Sequence, residues 1–205
     1  MTPFAEFLNT FFASFDTGVF VFFYSLHQGA GAFLDPFFKA ITVFGDHGLF
    51  FIFAGLALAF IPKTRRVGIT VLMALAVGAL ITNVWLKEAV ARTRPYEMLD
   101  IAKRLWEGVG NGPESDLSFP SGHATASFAA CVSVFLTCKK KYSWTALVFA
   151  FLIALSRIYI GVHYCTDVIA GVLVGTIAGV IAFYGARKLI DVISKAINKK
   201  KESKA

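Results

Sequence analysis

Charge is scarce in this 205-residue chain. Asp, Glu, Lys and Arg make up 16% of it, against about 25% in a typical soluble domain. That is too little polar surface to clothe a water-soluble globule. With 57% hydrophobic residues, a disordered chain is excluded as well. Cysteine is equally sparse: Cys131, Cys138 and Cys165 form an odd set without C-x-x-C spacing. A disulfide scaffold is therefore excluded, and these thiols, lying in or beside apolar runs, are expected to pack rather than to pair or bind metal. No basic stretch precedes the first apolar segment, so the first helices are expected to be retained rather than cleaved. The two halves show no internal repeat of the kind many transporters carry.

Apolar residues dominate instead. At 57% of 205 residues they number about 117, 22 of them Phe, enough for about six spans of roughly 20 residues each. The expected fold is all-α, a single-domain polytopic transmembrane helical bundle. Long apolar runs cover Val67–Leu86, Ala124–Cys138, Trp144–Ile160 and Val168–Leu189, and a shorter one, Leu49–Ile61, is expected to start near Gly45. Phe4, Phe7, Leu8, Phe11, Phe12 and Phe15 recur at helical spacing among polar residues, which suits a short interfacial helix. Asp16-Thr17 reads as a cap before Gly18–Leu26, Gly29–Gly31 as a break, and Asp35-Pro36 as the start of another short helix. One broken span or a re-entrant pair both fit that region.

The basic residues are unevenly placed. Lys63, Arg65 and Arg66, then Lys139 to Lys141, then seven residues between Arg187 and Lys204 make 13 of the 20 Lys and Arg. Alternating spans put all of these on one side, expected to be cytoplasmic. The net charge of +7 would suggest nucleic acid in a soluble protein; here the tail is expected to meet anionic lipid headgroups and no nucleic-acid partner is implied.

Ionisable groups at helix ends are costly in a membrane and signal function. Lys87 and Arg94 fall at the outer end of one span, Ser121 and His123 open the next, Ser156 and Arg157 close the third, and His163 and Asp167 open the last. All arrive at the same membrane face. Lys87 and Arg94 are seven apart, which predicts one shared helix face, and Pro95 should turn the chain away. Ser121 suits an N-cap, and Gly122 lets backbone approach a ligand at a helix start, where free N–H groups favour an anion. His163 and Asp167, four apart, face the same way if helical, so the carboxylate can orient one ring nitrogen. Three cations, a helix start and two histidines describe a pocket for a compact multivalent anion such as phosphate. A metal held by His123, His163 and Asp167 is the rival, opposed by the repulsion of three neighbouring cations.

These residues resemble the three-part signature of the type-2 phosphatidic acid phosphatase superfamily. Its parts are Lys87-x6-Arg94-Pro95, then Pro120-Ser121-Gly122-His123, then Ser156-Arg157-x5-His163-x3-Asp167. The resemblance divides the single domain into an interfacial and first-span region (1–44), a catalytic core (45–188) and a basic cytoplasmic tail (189–205). It implies an integral-membrane lipid phosphatase without metal or other cofactor. His163 would attack phosphorus, oriented by Asp167; His123 would protonate the leaving group; Lys87, Arg94, Ser121, Gly122 and Arg157 would hold the phosphoryl oxygens. Within the superfamily the short chain is similar to undecaprenyl-diphosphate phosphatases. A phosphatidylglycerophosphate or phosphatidate phosphatase is the alternative, and a non-catalytic lipid-binding or transport protein a distant one. The implied setting is a cell membrane, most simply a bacterial inner membrane, with the active site outside. The 96–119 segment is read as an exposed lid with a short helix through Asp100, Lys103, Arg104 and Glu107, and His47 as a turn residue.

Overall fold

The computed structural model describes residues 1–202 and is all-helical over them. The final residues of the basic tail, Lys204 included, lie outside the described residues. Helix α1 (Pro3–Phe11) starts with Thr2 as N-cap, its hydroxyl accepting from the Ala5 amide at 3.3 Å, and Pro3 at the first helical position. It turns Ala5 and Leu8 inward and leaves Phe4, Phe7 and Phe11 exposed, as an interfacial helix requires. Helix α2 (Ala13–Val43) then runs unbroken except for a kink at Ala30, where φ is −139°. Beyond α1 the N-terminal region is therefore one kinked helix. Asp16 is no cap: it lies inside α2, buried, for a reason given below. Nor does Asp35-Pro36 open a helix, since Pro36 is absorbed within α2.

A turn at Asp46–Gly48 leads into α3 (Leu49–Phe60), which begins later than Gly45. His47 sits in that turn with φ of 50°. Helix α4 (Arg65–Ala79) continues through a π-helical segment, Leu80–Leu86, into the short α5 (Lys87–Val90). The chain leaves the helix at Ala91, left-handed with φ of 50°. Two small helices, α6 (Pro95–Met98) and α7 (Asp100–Val109), open the segment read as a lid, the second of them through the expected positions 100–107. Helix α7 buries Ala102, Leu105 and Val109 and keeps Lys103, Arg104 and Glu107 outward. Trp106 stacks on Tyr96 with centroids 4.6 Å apart. The core closes with α8 (Gly122–Thr137), α9 (Lys140–Tyr159) and α10 (Cys165–Glu202).

Among the described residues four helical stretches are long and apolar enough to cross a membrane, one of which (13–60) holds α2 and α3 in series; α8 is a shorter apolar helix. The outer faces carry large apolar side chains such as Phe33 and Phe53. Lipid supplies no hydrophobic drive between helices, so close packing must hold them. It does so closely between α8 and α10. A β-carbon at Gly171 would meet the Ser121 carbonyl oxygen at 2.6 Å, one at Gly175 the Thr125 oxygen at 2.5 Å, and one at Gly179 the Ala129 oxygen at 3.0 Å. Three glycines at spacing four thus let the two backbones touch, and they fix the start of α8 against the start of α10.

Candidate active site

Helix direction brings the ends of α5, α8, α9 and α10 to one end of the bundle; Lys63 to Arg66 and Lys139 to Lys141 mark the other. At the first end the signature residues meet. The Ser121 amide donates to the Asp167 carbonyl at 3.1 Å, and the Val162 and His163 amides both reach the Arg157 carbonyl at 3.3 Å. Gly161, with φ of 76°, makes the turn that folds the end of α9 back toward α10. Its missing side chain also admits the Trp106 backbone of α7, which a β-carbon would meet at 3.0 Å.

Lys87 and Arg94 converge, but not from one helix face. The helix ends between them, and Arg94 approaches from an extended segment, held at ψ of 147° by the proline that follows. Their meeting point is Asp116: its carboxylate pairs with the Lys87 ammonium and the Arg94 guanidinium, and its carbonyl accepts from Arg94 Nε at 3.0 Å. The Glu114 carboxylate pairs with Arg157, whose other terminal nitrogen donates to Thr42 at 2.7 Å. All three cations thus grip carboxylates of one loop, in the way they would grip an anion.

His163 is buried, and its Nε2 lies 3.0 Å from Nη1 of Arg94. A guanidinium can only donate, so Nε2 carries the lone pair and Nδ1 the hydrogen. Nδ1 in turn stands 3.6 Å from Oδ2 of Asp167. Burial foremost, then the Arg94 and Arg157 charges, hold the imidazole well below the ordinary histidine range, so it is neutral. His123 is held differently: its Nε2 lies 2.8 Å from the carboxylate of Asp46 in the turn before α3. Among the described residues three buried side-chain atoms find no partner, Thr93 Oγ1, Ser121 Oγ and Arg157 Nε. Two of the three belong to the signature. Ser121 occupies the N-cap position without capping through its hydroxyl. At Gly122 an added β-carbon would meet nothing within 4 Å, an open backbone beside the helix start.

All eight expected residues therefore lie at this end, Lys87 joined to Arg94 through Asp116 and the others by contact or chain adjacency. Six others were not read from the sequence as site residues: Asp46, Glu114, Asp116, Arg92, Asp16 and Ser118. A signal existed for Glu114 and Asp116, two acids in the 96–119 segment facing three cations.

A profile of the PAP2 superfamily matches residues 67–191. The chain belongs to that superfamily. It is an enzyme of a membrane lipid phosphatase family. It is 32% identical to the bacitracin transport permease protein BcrC of Bacillus licheniformis, over 70% of this chain and 69% of that one. To an undecaprenyl-diphosphatase of Sulfolobus acidocaldarius it is 33% identical over 56% of this chain, spanning about half (52%) of that relative. A lipid A 4'-phosphatase of Bacteroides thetaiotaomicron is 28% identical over 87% of this chain and 80% of its own. Among solved structures, the PAP2-type phosphatidylglycerolphosphate phosphatase from Bacillus subtilis shares the fold, with a TM-score of 0.66 at 24% identity, covering 93% of this chain and 92% of that one.

Proposed function

We propose that this PAP2 phosphatase removes the terminal phosphate of a lipid diphosphate, undecaprenyl diphosphate being the favoured substrate, through a covalent phosphohistidine and without a metal. The observation that carries the mechanism is the arrangement around His163, with a lone pair on Nε2, a hydrogen on Nδ1 facing Asp167, and three cations within the same cluster. A terminal phosphoryl group replaces the Glu114 and Asp116 carboxylates on Lys87, Arg94 and Arg157. Ser121 and the backbone at Gly122 supply further donors at the start of α8.

Nε2 of His163 then attacks phosphorus, and the bond from phosphorus to the leaving oxygen breaks. His123 gives that oxygen its proton, and Asp46 balances the imidazolium charge. Asp167 stabilises the positive ring of the phosphohistidine. Water attacks the same phosphorus in the second step, with His123, now neutral, as base; orthophosphate leaves and His163 returns. The cations offset the charge spread over the phosphoryl oxygens throughout.

The substrate choice rests on the relative named undecaprenyl-diphosphatase. Loop charge supports an outward-facing site and a cytoplasmic C-terminus whose basic residues meet anionic lipids. The test is phosphate release by purified protein from undecaprenyl diphosphate, phosphatidylglycerophosphate and phosphatidate side by side. Highest kcat/KM on the diphosphate is expected. Preference for either monoester would overturn the substrate, and no release from any of the three would overturn the function.

A further inference from the structure

Arg92 and Arg157 are the largest fully buried side chains among the described residues, and the signature does not include Arg92. Its guanidinium spends all three nitrogens on other elements. Nε donates to Asn9 of α1 at 2.7 Å, and Nη2 to Asp16 of α2 at 3.1 Å. Nη1 donates to Asp167 at 2.6 Å and to Thr166 at 2.8 Å, both in α10. The planar group also lies over the Tyr164 ring, 3.6 Å from its centroid. Asp16 completes the knot, accepting from the Thr166 amide at 3.0 Å and the Thr166 hydroxyl at 2.7 Å.

We propose that Arg92 and Asp16 are positioning residues for the reaction: they clamp the first turn of α10 so that Asp167 presents one oxygen to His163. Oδ1 of Asp167 goes to Arg92. Oδ2 is left to face Nδ1 of His163, steadied by the Ser118 hydroxyl and by the Tyr164 amide at 3.1 Å. Neither Arg92 nor Asp16 touches the cluster of cations. Asp16 lies outside the span matched to the superfamily, so the N-terminal region takes part in the chemistry. This rests on the reading of His163 as nucleophile.

The two residues carry opposite charges at the back of one carboxylate, and this gives a signature that loss of packing cannot imitate. The charged and titratable groups facing His163 are Asp167 from α10, Arg94 from the extended segment, Arg157 from α9, His123 from α8 and Lys87 from α5. Behind Asp167 stand Arg92 and Asp16. Removing the Arg92 charge makes the imidazolium easier to form; removing the Asp16 charge makes it harder.

The experiment measures kcat, KM and the pH profile of kcat/KM for wild type, Asp16→Asn, Arg92→Lys and Arg92→Gln. The substrate is whichever of the three lipids the wild type hydrolyses. All variants are expected to lose kcat by roughly tenfold to a hundredfold, the range seen for outer-shell partners, with KM within about twofold. The acid limb should move to higher pH in Arg92→Gln, to lower pH in Asp16→Asn, and stay in place in Arg92→Lys, which keeps the charge but cannot span four partners. Arg92→Gln strands two buried carboxylates, so Asp16→Asn and Arg92→Lys carry the test if it fails to fold. Unchanged kcat in those two, a rise in KM matching the loss of kcat, or acid limbs moving the same way would overturn the inference. An inactive wild type would instead count against the function proposed above.

Discussion

Gly45 faces the imidazole of His123 so closely that a β-carbon there would stand 2.4 Å from its Cδ2. The far side offers no relief, because the same β-carbon would lie 2.8 Å from Cγ2 of Ile153. His123 is thus located between the end of α2 and α9, with Asp46 one residue on from the glycine accepting its Nε2 hydrogen.

Gly45→Ala is therefore expected to push the ring out of line with the leaving group. A displacement of about 1 Å costs about a hundredfold in rate, and overpacking about 1–3 kcal/mol of stability. Phosphate release and thermal unfolding in detergent check both. A fully active, equally stable alanine variant would remove His123 from the proposed role.

The lone pair on Nε2 of His163 should survive in acid. Burial, and then Arg94 and Arg157, hold this imidazole neutral well below the ordinary value of 6.5. The acid limb of kcat/KM is expected below pH 6.5 rather than at it. Stability has the matching sign. The unfolded chain binds a proton near pH 6.5 that the folded chain refuses, so this contribution is present above 6.5 and is lost as pH falls toward the folded value. Denaturation of the detergent-solubilised protein at stepped pH measures it; a His163→Ala variant should lose the part of the slope below 6.5.

Under the proposed function, the Glu114 and Asp116 carboxylates are expected to compete with substrate for the three cations. Burial opposes the charge on Glu114, yet Arg157 holds its carboxyl below the ordinary value, so it stays ionised through neutral pH. Asp116 is about half exposed, at 49% of its side chain, and water weakens its pairs with Lys87 and Arg94. Glu114→Gln and Asp116→Asn should each tighten inhibition by orthophosphate by about twofold to tenfold, which is about 0.4–1.4 kcal/mol. Weaker inhibition would make the two acids part of the binding surface instead.

The convergence of the site was legible because each span delivered its polar tip to the same face, and helix alternation alone determines that. Its local geometry was not. The interval of seven between Lys87 and Arg94 promised one helix face, but Ala91 takes a left-handed conformation and Pro95 forbids Arg94 a helical one. Asp16 before Thr17 reads as a cap to any rule of local sequence; its distant partners Arg92 and Thr166 explain why it is buried inside a helix. Arg92 itself looked like one more outer charge. The glycines 171, 175 and 179 could have been read as a contact stripe by their spacing, though not that α8 would be the partner. The break at Gly29–Gly31 survives as a kink at Ala30, because the helix resumes once that one residue has departed from helical angles.

Covalent labelling tests the central claim most directly. Protein mixed with a lipid substrate bearing 32P in its terminal phosphate, quenched in denaturant within the first turnover, should carry acid-labile, alkali-stable label on the His163 peptide. His163→Ala should carry none and release no phosphate. Label on another residue, or turnover retained in that variant, would contradict the assignment of His163 as nucleophile.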